Sequence, residues 1–121
     1  MGLNDAETSY KLGLDYMEKK DFESAYREFN RLIFSGEHYG LSETKKVEIF
    51  MNRGISKYNI AKNEQELCEA ADDWIDVLYK HPNSPYNSEA KRLIQMALQN
   101  SNSYTLQVFV KGMMQQRNLY L

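Results

Sequence analysis

The sequence has little cysteine, proline or glycine, and each shortage excludes a class of protein. Its single cysteine, Cys68, rules out an intramolecular disulfide and a zinc site built from cysteines. Two prolines and six glycines among 121 residues, with few alternating apolar and polar runs, argue against an all-β domain. No run approaches the roughly 18 apolar residues of a membrane-spanning helix, so membrane insertion is not expected. The length is that of a single domain, residues 1–121.

An excess of charge of one sign is also lacking. Fifteen Lys and Arg residues against 17 Asp and Glu residues leave a net charge of −2. Nucleic acid requires a basic stripe on the protein, so we expect no nucleic-acid partner. The charges are nevertheless unevenly placed. Between Lys62 and Lys80 every charged residue is acidic, and after Glu89 every charged residue is basic: Lys91, Arg92, Lys111 and Arg117.

Each of these two charged stretches has more than one interpretation. The acidic stretch is either a solvated helix face or a docking surface for a basic partner. The four scattered bases at the end of the chain do not form a nucleic-acid stripe. They allow weak contact with an acidic patch, including the acidic helix of a second copy.

Apolar side chains recur at spacings of three and four along almost the whole chain, which is the period of helices with one buried face. The pattern predicts an all-α fold of six helices, paired in three stacked antiparallel hairpins at about residues 5–34, 43–81 and 85–119. Five polar residues stand where a helix N-cap is expected: Asn4, Asp21, Ser42, Asn63 and Ser103. Ser84 and Pro85 predict the start of the fifth helix, because proline suits the first helical position.

The first hairpin carries small and aromatic residues at fixed positions: Leu12, Gly13, Tyr16, Phe22, Ala25, Phe29 and Leu32. The small side chains of Gly13 and Ala25 let two antiparallel helices approach closely, and the aromatic residues fill the space between them. This pattern resembles the tetratricopeptide repeat (TPR). The resemblance implies a right-handed α-solenoid of three repeats, because one repeat alone cannot bury its apolar face.

Two shorter segments carry further resemblances. Residues 79–90 are similar to the junction between repeats in bacterial outer-membrane assembly lipoproteins and in the repeat protein associated with the Tol–Pal system. This similarity implies a repeat of the same subclass in a bacterial protein. Residues 109–113 are similar to the end of small export chaperones of type III secretion systems, which implies such a chaperone as an alternative function.

The TPR resemblance also implies a binding site, because the first helix of each pair lines a concave groove in such solenoids. The residues expected in this groove are Tyr10, Leu14, Met17, Met51, Asn52 and Ile55. Methionine adapts its shape to varied ligands, and tyrosine offers apolar area with a polar tip. We therefore expect a protein or peptide partner, held as in an adaptor, scaffold or chaperone. Alternatively, these residues pack against the last hairpin or join copies of the chain in a self-assembling homo-oligomer.

Catalysis and cofactor binding find no supporting pattern. His38 and His81 lie in predicted turns without metal-ligand spacing, and the sequence has no glycine-rich phosphate loop. We therefore expect a protein that is not an enzyme and that holds no cofactor and no metal. The first residues do not form a signal peptide, which favours a cytoplasmic protein, or a periplasmic one if a signal was removed.

Overall fold

The computed structural model describes the backbone of residues 2–121 and the side chains of residues 5–121. Helices make up this part of the chain, and residues 2–121 contain no strand, so the predicted all-α class is confirmed. The α-helices are α1 (Gly2–Glu18), α2 (Phe22–Ser35), α3 (Glu43–Ile60), α4 (Glu64–Lys80), α5 (Asn87–Ser101) and α6 (Tyr104–Gln116). A short 3-10 helix, Glu37–Gly40, occupies the break between α2 and α3.

Four helices begin at the residues that the sequence predicts, whereas the prediction for α1 is wrong, because this helix begins at Gly2 and includes Asn4. Each N-cap side chain accepts a hydrogen bond from the backbone N–H three residues further on, which satisfies one of the free donors at the helix start. The four capping residues are Asp21, Ser42, Asn63 and Ser103. Local side-chain chemistry therefore fixes the starts of α2, α3, α4 and α6.

The predicted start of the fifth helix is wrong by two residues. Helix α5 begins at Asn87 rather than at Pro85. The Ser84 hydroxyl accepts a hydrogen bond from the backbone N–H of Tyr86, only two residues on, at 3.1 Å. This bond closes a tight turn that contains Pro85, so the helix starts after the turn.

Helices α1 and α3 lie side by side and run in the same direction. Side-chain contacts join residues that are 38 or 39 positions apart along most of α1. The pairs are Glu7 with Lys45 at 2.8 Å, Tyr10 with Glu48 at 2.7 Å, and Met17 with Ser56 at 3.0 Å. Helix α2 packs against both α1 and α3, so α3 covers the first two helices.

Helix α4 is the centre of the second half of the chain and packs against α3, α5 and α6. Helix α6 runs parallel to α4, because Ser103 at its start hydrogen-bonds Glu64 and Arg117 at its end lies 5.2 Å from the centre of the Tyr79 ring. The backbones of α5 and α6 make few close approaches to each other. Helices α5 and α6 therefore both pack against α4 and leave a groove between them.

Close packing between α3 and α4 depends on a small residue, Gly54. Gly54 of α3 faces the Trp74 indole of α4. A Cβ atom at this position would overlap the indole and would lie 3.0 Å from the carbonyl oxygen of Ala70. The Trp74 side chain is fully buried, and its Nε1 donates a hydrogen bond to the carbonyl of Met51 at 3.2 Å. Gly54 thus allows α3 and α4 to approach closely enough to enclose the only tryptophan of the sequence.

Candidate functional site

The six residues predicted to form a partner groove lie on the adjacent helices α1 and α3, and two of them are buried. Tyr10 is 7% exposed and Met51 is 3% exposed. The Tyr10 hydroxyl donates to Glu48 across the helix contact, and burial together with this carboxylate raises the pKa of Tyr10. Both side chains therefore hold helices together and offer no surface to a partner.

The other four predicted residues, Leu14, Met17, Asn52 and Ile55, are half-buried. Leu14 and Met17 pack against the cluster formed by α1 and α2, and Ile55 packs against the cluster formed by α3 to α6. The Ser56 hydroxyl donates to the Met17 sulfur at 3.0 Å. The surface left over between α1 and α3 is small, and its use by a partner stays a prediction.

A groove of about 750 Å³ lies between α5 and α6, where the sequence did not predict a site. Its walls are mostly apolar side chains from α5, α6 and the C-terminal tail. These are Leu98, Val110, Met114, Leu119, Tyr120 and Leu121. A groove of this volume with apolar walls is typical of a ligand or peptide site. We call it the α5–α6 groove.

One face of α6 forms a long wall of this groove. Gln107, Val110, Lys111, Met114 and Gln115 follow at spacings of three and one, which places them along one side of a helix. Val110 and Met114 are buried and form the apolar row, whereas the two glutamines and Lys111 are exposed. The groove therefore has an apolar floor and a polar rim on the same helix.

The C-terminal tail closes one end of the groove through a turn after α6. Asn118 adopts a left-handed conformation with φ of 55°, and the N–H of Leu119 donates to the carbonyl of Met114 at 2.9 Å. This bond is typical of a Schellman motif, which reverses the chain at a helix end. Leu119 and Tyr120 then line a second depression together with Lys91 of α5. The tail thus crosses from α6 towards the start of α5.

Exposed apolar side chains occur on α6 and the tail that follows it, and also at Phe34 and Tyr39 in another part of the chain. Tyr104 is 76% exposed, Val108 is 53% exposed and Tyr120 is 77% exposed. Tyr104 and Val108 are four residues apart, so they lie on one side of α6. Contiguous exposed apolar surface marks interaction sites in soluble domains. The sequence did not predict this apolar surface, because the TPR resemblance places the groove on the first helix of each hairpin.

Lys111 is the charged side chain that lines the α5–α6 groove. The structure pairs it with no carboxylate among residues 5–121. The nearest bases in sequence are engaged elsewhere, since Arg92 bonds Glu89 and Arg117 lies over the Tyr79 ring. The groove therefore has a local positive charge without a partner among the described side chains.

A second polar cluster joins α2, α3 and α4, and it is structural in character. Arg53 donates to the Asp73 carboxylate at 2.7 and 2.9 Å and to the Asn30 side-chain oxygen at 3.1 Å. Asp73 is buried, and this burial raises its pKa to about 6 although the Arg53 guanidinium acts in the opposite direction. Because Asp73 is buried and both of its oxygens accept hydrogen bonds from Arg53, this cluster holds α2, α3 and α4 together.

Two features are absent from the described residues, a cluster of metal ligands and a membrane-spanning helix. Side chains 5–121 contain no group of three His, Cys, Asp or Glu residues placed to hold a metal. Within residues 2–121 no helix combines the length and the apolar character needed to span a membrane. Cys68 is buried, and this burial raises the pKa of its thiol.

Comparison with known proteins gives no match. Neither a family model, nor a curated protein, nor a solved structure matches the chain. The features that bear on function are therefore the α5–α6 groove and the positive charge of Lys111 on its rim.

Proposed function

We propose that this chain is a non-catalytic protein–protein interaction module that binds an α-helix of a partner in the α5–α6 groove. The observation that carries the proposal is the groove itself, about 750 Å³ in volume, with Leu98, Val110 and Met114 on its walls. Apolar grooves between helices take amphipathic helices, which insert side chains at spacings of three and four. The exposed Tyr104 and Val108 of α6 add apolar surface outside the groove.

The packing of the first three helices supports a helix as the occupant. Helix α3 lies against both α1 and α2 and covers that pair. The pair α5 and α6 packs on α4 on one side, and on the side of the α5–α6 groove no other helix of residues 2–121 lines it. A partner helix in the α5–α6 groove would pack on the last pair in the way that α3 packs on the first.

A TPR-like arrangement is part of the same proposal. It is supported by the residue pattern of the first hairpin and by the parallel alignment of α1 and α3 at an offset of 38 residues. In this arrangement the chain acts as an adaptor, scaffold or chaperone. The surface formed by Leu14, Met17, Asn52 and Ile55 is a second place where a partner could bind.

Filling the α5–α6 groove should abolish helix binding without unfolding the protein. Gln115 is exposed and lines the groove, so Gln115→Trp places a large side chain in it. We expect the affinity for a neutral amphipathic peptide of about 18 residues, or five turns, to fall at least about tenfold, which is about 1.4 kcal/mol. Fluorescence anisotropy with a labelled peptide, which carries leucine at helical spacing, measures this loss.

The matched control is Gln116→Trp. Gln116 is the exposed neighbour of Gln115 on α6 and does not line the groove, since successive helical side chains point about 100° apart. This variant should keep the affinity of the original protein. Equal binding by the original protein and by Gln115→Trp would show that the groove is not the binding site.

A further inference from the structure

We propose that the helix bound in the α5–α6 groove is an acidic amphipathic helix from another protein, and not a helix of a second copy of this chain. The inference rests on the proposed function and adds the charge of the partner. Three observations support it: the polar row on α6, the absence of Asp and Glu side chains from the groove, and the poor fit of a second copy.

The polar row on the groove rim consists of Gln107, Lys111 and Gln115, spaced by four residues along α6. All three side chains are exposed, and all three can donate hydrogen bonds. The parallel row beneath it is apolar, formed by Val110 and Met114. A helix lying on this face would place apolar anchors on the lower row and one polar flank against the upper row.

No carboxylate side chain lines the groove, and residues 90–121 contain no Asp or Glu. Lys111 therefore contributes a positive charge that no Asp or Glu side chain among the lining residues cancels. Carboxylates on the flank of a partner helix would gain both Coulomb attraction and hydrogen bonds from the rim. Lysines on the same flank would meet Lys111 and would be disfavoured.

A second copy is a poor occupant in either geometry. In a symmetric dimer through this face, the basic ends of both copies would meet, and residues 90–121 hold no acid to pair with Lys111 of the other copy. In a head-to-tail contact the next copy could offer its exposed Phe34 and Tyr39, which lie on two different helices and form no row at helical spacing, or its helix α1. Leu12 is the one large apolar side chain that α1 exposes within residues 5–18, and a groove-bound helix needs anchors over several turns.

The test uses three model peptides of equal length, with the same leucine anchors and with Glu, Gln or Lys at the flanking positions. Binding is measured by fluorescence anisotropy at low and at physiological ionic strength. We expect the original protein to bind the Glu peptide about tenfold more tightly than the Lys peptide at low salt, with a smaller ratio at higher salt. The Gln peptide should lie between them.

The decisive variant is Lys111→Glu, which should reverse the order of the Glu and Lys peptides. Lys11→Glu is the matched control, because Lys11 is an exposed lysine of α1 that does not line the groove. It should leave the order unchanged. Both lysines are on the surface, so neither change should prevent folding.

The possible failures are distinguishable. If the Lys or Gln peptide binds as tightly as the Glu peptide, and Gln115→Trp still prevents binding, the acidic partner is wrong and the proposed function stands. If no peptide binds, both are wrong. If sedimentation shows a dimer of the chain that Gln115→Trp dissociates, the occupant is a second copy and this inference is overturned.

Discussion

Replacement of Arg53 by leucine is expected to lower the free energy of unfolding by about 3–5 kcal/mol at pH 8, because it leaves a buried charge without its partner. The Asp73 side chain is only 5% exposed, and Arg53 bonds both of its oxygens. The guanidinium also bonds Asn30 of α2, so the variant loses a link between α2, α3 and α4. Urea denaturation measures the loss.

The loss should depend on pH in a defined direction. Burial raises the pKa of Asp73 to about 6, above its ordinary value of 3.8, while Arg53 acts to lower it. Without Arg53 the pKa rises further, so Asp73 in the folded variant takes up a proton more readily than in the unfolded chain. For a raised carboxyl pKa, stability is greatest below the unfolded value and falls as pH rises through the folded value. The destabilisation by Arg53→Leu should therefore be smaller at pH 5 than at pH 8.

Two further variants check this explanation. Adding Asp73→Asn to Arg53→Leu removes the buried charge and should remove most of the pH dependence. Arg31→Leu is the surface control, since the Arg31 side chain is 48% exposed and its pairs with Glu28 and Glu37 are at the surface. We expect it to change stability by at most about 0.5 kcal/mol. A loss for Arg53→Leu that is equally small, or equal at both pH values, would contradict the prediction.

A methyl group added at Gly54 should lower the free energy of unfolding by about 2–3 kcal/mol. A Cβ there would overlap the Trp74 indole nitrogen and lie 3.0 Å from the Ala70 carbonyl oxygen. Neither group can withdraw easily, because the indole is fully buried and bonded to Met51, and the carbonyl belongs to the backbone of α4. Overpacking of this kind exceeds the gain in helix propensity from glycine to alanine.

Gly112→Ala is the matched control for this prediction. Gly112 also lies within a helix, and its Cβ would have nothing within 4 Å. Here the gain in helix propensity acts alone, and we expect the variant to be more stable by up to about 1 kcal/mol. Urea denaturation of the two variants should give changes of opposite sign. If Gly54→Ala is as stable as the original protein, Gly54 does not lie as close to Trp74 and Ala70 as the structure places it.

The sequence predicts the helices of this protein well because their determinants are local. An N-cap such as Asp21 or Asn63 acts on backbone groups three residues away, so its effect can be inferred without a tertiary structure. The start of α5 is an exception, since Ser84 bonds Tyr86 and keeps Pro85 in a turn. Two residues that favour a helix start here serve a competing local structure.

The candidate site could not be predicted in the same way. Periodicity shows which face of α1 is apolar, and it does not show that α3 covers Tyr10. The α5–α6 groove exists because both helices pack on α4 and not chiefly on each other. This arrangement depends on tertiary contacts, which the periodicity of a single helix does not reveal. Its only signals in the sequence are the pair Tyr104 and Val108 and the lack of acids after Glu89.

The division of the interior into two clusters has a consequence for motion in the native protein. One cluster is formed by α1 and α2 with Ile49 of α3, and it is much the smaller among the side chains of residues 5–121. The other extends through α3 to α6. Since local opening follows the distribution of buried apolar contacts, α1 and α2 detach at a lower free energy than global unfolding requires. The amide protons of α1 and α2 should therefore exchange with solvent through a partial opening. Those of α4 should exchange only when the whole domain unfolds.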